Sequence, residues 1–183
     1  LQVDGYAGYH ALASDDCILV GCMAHARRKF DEALKALPKE NRKNKTGMAQ
    51  TALCQFARLY ALEKQFKDLT VEQRYLLRQE KSKPLLEELK QWCDDNLTKT
   101  AKDSAIGKAI RYTINQWDSL TRYIEEGNLQ IDNNAAERHI KPFVIGRKNW
   151  LFNQTPRGAN ASALLYSLVQ TAVANNLEPF DYL

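Results

Sequence analysis

At 183 residues, 44% of them hydrophobic and 26% charged, the chain has the size and balance of one globular domain, or of a small domain carrying an insertion, which excludes disorder as its main content. No apolar run nears the roughly 20 residues that cross a bilayer, and the opening LQVDGYAGYH has neither a basic start nor a signal-type apolar block; a cytoplasmic protein without a membrane partner is expected. The net charge of +4 is uneven, since residues 24–47 hold eight bases against three acids and 128–160 five against two, a distribution that suits a polyanion or a solvated basic face.

The chain starts at Leu1, without a methionine, in what reads as the middle of a strand, so a fragment is expected. LQVD and CILVGC have the short, β-branched runs of strands, with YAGYHALA as a short helix between them. This is the opening of an α/β sheet. From Ala24 the pattern turns helical, with Ala26, Phe30, Ala33, Leu34 and Leu37 on one face until Pro38 stops it. After the basic loop PKENRKNKTG, residues 48–127 carry only helical signals. Leu53, Phe56, Leu59, Tyr60, Leu62 and Phe66 repeat at three and four, Thr70 and Gln73 offer a capping box, and Pro84 fits the first turn of a helix bearing Leu85, Leu86, Leu89, Trp92 and Cys93. The clearest helix carries Ile106, Ile110, Thr113 or Ile114, Trp117, Leu120 and Ile124 in one stripe, with Gly127 as its terminal cap.

Beyond Gly127, GNLQID is extended and NNAAERHIK is a short helix expected to weaken at Lys141, because Pro142 follows. NWLF reads as a strand or extended hook. ANASALLYSLVQTAVANN is a last helix with Leu164, Leu165, Leu168 and Ala172 inward, ahead of the tail LEPFDYL. The cysteines at 17, 22, 54 and 93 lack a framework spacing and are expected as small buried hydrophobes.

Three stretches carry chemistry. Asp4, at the carboxyl end of a strand and followed by Gly5, either caps the next helix or coordinates a cation. Glu137 is a capping-box acid if Asn134 is the N-cap, facing Lys141 one turn on; yet Asp132, Asn133, Asn134, Glu137, Arg138 and His139 crowd eight positions, more polar groups than a helix start needs. Arg147, Lys148 and Arg157 flank Trp150 and Phe152, which suits nucleic acid, with cations on phosphates and rings on bases, although both aromatics also fit a core. Cys22 and His25 form half of a zinc spacing whose second half is missing. Arg27, Arg28 and Lys29 are either phosphate contacts or the wet side of their helix.

Taken together, LQVDGYAGY, GCMAHARRKF, DNNAAERHIKPFVIGRKNWLF and SLVQTAVANNLEPFDYL resemble, in order and in register, the carboxyl-terminal part of the transposases of insertion-sequence family sixty-six. That resemblance implies a bacterial, nucleoid-associated DDE recombinase. Its class is α/β, though mostly α by content: a partial RNase H-like core with a helical insertion and a C-terminal helix. Residues 1–47 would be strand, helix, strand and helix of that core, 48–127 the insertion, 128–160 the helix of the third acid with a basic hook, and 161–183 the last helix and tail. Asp4 matches the second acid and Glu137 the third; with a first aspartate they would hold two Mg²⁺ or Mn²⁺ ions for DNA strand cleavage and transfer. The first aspartate finds no match, so the chain alone is expected to be inactive. Double-stranded DNA would be bound through Arg27, Arg28, Arg138, Lys141, Arg147, Lys148 and Arg157, by a homo-oligomer. His25, His139, Asn133 and Asn134 are auxiliary candidates. A non-catalytic DNA-binding or oligomerisation module, with both acids as caps, is the competing expectation.

Overall fold

The computed structural model describes residues 1–14, 16–43, 46–150 and 153–183, with side chains for all of these but His10, Lys43, Arg147, Lys148 and Trp150. The chain is mostly helical and divides into two compact units, Leu1–Asn133 and Asn134–Leu183.

The first unit is built on α1 (Met23–Lys35), whose three-and-four spacing buries Met23, Ala26, Phe30 and Ala33. It packs against α2 (Met48–Gln65) and α5 (Ala105–Asn115), while α4 (Lys83–Leu97) closes on α2 and α5. Phe30 sits at the junction, 5.6 Å from the Phe56 ring and edge-on to Trp92 at 6.1 Å. The helices of 48–127 therefore share one core with α1 rather than carrying a separate one. Before α4 come α3 (Val71–Leu77) and a π-helical turn, Arg78–Ser82. The capping box at the start of α3 is present in both directions, with Gln73 N donating to Thr70 Oγ1 and Thr70 N to Gln73 Oε1, and Pro84 lies in the first turn of α4.

Three expectations change within this unit. The long helix after Ser104 breaks at Gln116, whose backbone leaves the helical region, so that α6 (Trp117–Thr121) is separate. Gly127 has no positive φ and is not a left-handed cap. Its need is space, since a Cβ there would lie 1.8 Å from the Val71 carbonyl oxygen. Finally, the sheet of the first residues is reduced, among the described residues, to bridges. Gln2 and Val20 form a parallel one, with Val3 N donating to Val20 O and Val20 N to Leu1 O, each at 2.9 Å. Val3 and Val20 are buried while Leu1 and Ile18 are exposed. The segment between them is the 3₁₀ turn Ala7–Leu12. Mostly α therefore holds, whereas an α/β core is not formed among these residues.

The second unit consists of α7 (Asn134–Trp150), α8 (Pro156–Ala174) and the short α9 (Pro179–Tyr182). Helix α7 runs through Pro142 instead of ending before it, and Asn149 and Trp150 are helical rather than extended; Leu151 and Phe152, the rest of the expected hook, lie outside the described residues. Thr155 caps α8 through Oγ1, which accepts from Gly158 N at 3.1 Å. At its far end Asn176 takes φ 57°, with Leu177 N donating to Ala172 O and Asn176 N to Val173 O, the paired bonds of a Schellman ending. Of the stripe expected inward, Ala172 is buried, but Leu164 and Leu165 are exposed.

Candidate functional site

Asp4 directly follows Val3, whose N–H donates to the Val20 carbonyl. Its Oδ1 accepts a hydrogen bond from Tyr6 N at 3.0 Å, the local turn that lets the chain enter the 3₁₀ segment. Gly5 fits under Tyr112, where a Cβ would come within 2.6 Å of the phenol oxygen, so the backbone beside Asp4 is pinned by α5. The half-buried carboxyl group lines a groove of about 350 Å³ with Asn115, Gln116, Asp118 and Arg122.

The residues leading to α7 are also fixed. Asp132 Oδ2 accepts from Tyr60 Oη at 2.9 Å, and Asn133 N donates to Cys22 Sγ at 3.4 Å. Burial, then the nearby Asp132 carboxylate, push the Tyr60 hydroxyl above its ordinary value, which keeps it a donor. Burial likewise raises the Cys22 thiol, so the sulfur accepts as a neutral group. His25 is half-buried in the first turn of α1. Thus Cys22, Asp132 and Asn133 do meet, and Tyr60, which the spacing had placed only on an apolar stripe, joins them. A tyrosine with its hydroxyl paired carries no sequence signal that separates it from core.

In the second unit Glu137 is exposed in the first turn of α7, and a groove along that helix is lined by Asn134, Glu137, Arg138 and Lys141. An acid there also complements the positive end of the helix dipole. His139 is exposed and lines a different groove, of about 490 Å³, with Phe143, Tyr166 and Gln170 between α7 and α8. Phe143 and Tyr166 meet edge to face at 5.1 Å.

Arg27, Arg28 and Lys29 lie exposed on α1, Lys29 being 3.9 Å from Glu32 and above the Tyr112 ring. Arg157 is exposed in the first turn of α8, whereas Arg147 and Lys148 fall in the last turn of α7 with side chains outside the described set. Of the cysteines expected to be buried, Cys22 and Cys93 are, but Cys54 is exposed.

Comparison with known proteins places the chain among the transposases. Residues 1–161 match the family described as Transposase IS66 family, and the chain belongs to that family. It is similar over its whole length to three proteins of Sinorhizobium fredii (strain NBRC 101917 / NGR234): the uncharacterized protein y4hP at 31% identity, y4jD at 32% and y4qI at 34%. All of the chain is covered in each comparison, against 35%, 36% and 34% of the relative. The chain thus spans about a third of the length of the curated relatives it matches. No solved structure matches it.

Proposed function

We propose that this chain is part of the catalytic region of a DDE transposase with an RNase H-like core, acting on double-stranded transposon ends as a homo-oligomer, with Asp4 and Glu137 as two of its three metal-holding acids. The observation that carries the reading is the setting of Glu137, which stands exposed in the first turn of α7 beside Arg138 and Lys141, a carboxylate next to cations suited to phosphates.

Carboxylate oxygens have the hardness that Mg²⁺ or Mn²⁺ prefers. Asp4 engages Oδ1 with the Tyr6 amide, which leaves Oδ2 as the ligand atom. Among the described residues, however, no three His, Cys, Asp or Glu side chains are grouped to hold an ion. The two acids match the ions in chemistry. Bound ions would neutralise charge on the attacking and leaving oxygens of a phosphodiester.

One observation favours the runner-up, a non-catalytic DNA-binding or assembly module: the Tyr6 amide bond is what a capping Asp4 makes. Titration of the chain with Mn²⁺, read as paramagnetic broadening of backbone amides, separates the two. Amides around Asp4 and Glu137 are expected to broaden together, and Asp4→Asn or Glu137→Gln to abolish the response at both. Broadening at one acid that survives loss of the other means that no ion is shared, and the module reading then stands.

A further inference from the structure

Residues 129–133 form neither helix nor strand, yet every one of them is held by a partner. Leu129 O accepts from Arg78 Nη2 at 2.9 Å and Gln130 O from Gln2 Nε2 at 2.8 Å. Ile131 O accepts from Met23 N at 3.1 Å. Asp132 and Asn133 complete the run through Tyr60 and Cys22, at 2.9 and 3.4 Å. The partners come from four places: the π-helical turn, the bridged Gln2, the start of α1 and α2. Five consecutive tethers make this segment a strap.

Four of the five use backbone atoms of the strap. Ile131 is also buried in the core and Leu129 packs against it, while the Tyr60–Asp132 bond joins two side chains and ties the strap to α2. Helix α7 begins at the next residue after the strap, and Glu137 follows within one turn. The first four amides of a helix have no partner inside it, so the order of that turn depends on how the chain before it is held.

We infer that Tyr60 is a positioning residue: its hydrogen bond to Asp132 orders the end of the strap, and that order carries along the chain into the first turn of α7, where Glu137 stands. The purpose assigned to the strap rests on the reading of Glu137 as a metal-holding acid; the existence of the strap does not. Amide hydrogen exchange on the chain tests it. Tyr60→Phe keeps the ring and removes the donor, and is expected to speed exchange at residues 131–138 about tenfold while leaving α1, α2 and α4 unchanged. Asp132→Ala should match it, whereas Asp132→Asn, which retains a side-chain carbonyl oxygen for Tyr60, should exchange like the parent. Unchanged exchange at 131–138 in Tyr60→Phe overturns the inference, and so does an equal rise throughout the first unit, which would mark Tyr60 as ordinary core. Absence of Mn²⁺ broadening at Glu137 in the parent chain would instead overturn the metal role, and the exchange result would still decide the strap.

Discussion

Arg78 is fully buried, and all five of its N–H donors are used. Nε and Nη2 bind the two oxygens of Glu63 at 2.9 and 2.6 Å, Nη1 reaches the carbonyls of Tyr123 and Glu126, both at 2.7 Å, and Nη2 also reaches that of Leu129. The guanidinium lies over the Tyr123 ring as well, 5.1 Å from its centre. A lysine has three donors and no fork, so it cannot replace this set. Arg78→Lys and Arg78→Ala should each destabilise the first unit by about 3–5 kcal/mol, because Glu63 and three carbonyls lose their partner in a dry interior. The ion pair of Arg58 with Glu88 makes the contrast, since both side chains are about half exposed and its loss should register at about 1 kcal/mol or less. Urea unfolding followed by circular dichroism checks both, and similar midpoints for the Arg78 and Arg58 variants would contradict the argument.

At the scale of elements, the signals legible in the sequence were those written in local chemistry. The Thr70–Gln73 box, Pro84 at the start of α4 and the stripe of α1 need only neighbours three or four residues away to act. What was not legible depends on distant parts of the chain. Gly127 looked like a helix cap because of where it falls in sequence, but it answers to Val71, 56 positions earlier. The strands LQVD and CILVGC have the composition of a sheet, and that composition cannot report how many neighbours are present to build one. The candidate site divides in the same way: Asp132 and Asn133 stand out as a polar cluster, while Tyr60, which holds the strap, reads as apolar stripe. Pro142 is the reverse case, a strong local signal that was overridden. Within α7 it removes the amide that would bond to the Arg138 carbonyl, and its ring crowds that turn. Pro142→Ala should therefore raise the helicity and stability of the second unit, by up to about 3 kcal/mol. Unchanged thermal unfolding of that unit would mean that the helix has no strain at Pro142 to relieve.

On the scale of the whole molecule, exposed bases occur in both units. Arg27 and Arg28 stand on α1, and Arg138 and Lys141 on α7; Lys29 is set apart by its contacts with Glu32 and Tyr112. Under the proposed function these are phosphate contacts. Each such contact contributes roughly 0.9 to the slope of log affinity against log salt for duplex DNA. If one duplex engages both units, alanine at Arg27 and Arg28 should flatten that slope by about 1.8, alanine at Arg138 and Lys141 should do the same, and the four together should double the effect. Because phosphates carry no sequence information, affinity should fall equally for unrelated duplexes. A slope that responds to one pair and not the other would confine DNA to that unit, and a slope indifferent to all four would leave the bases as solvated faces. The test does not depend on the geometry between the units, because counterion release counts neutralised phosphates wherever the bases lie.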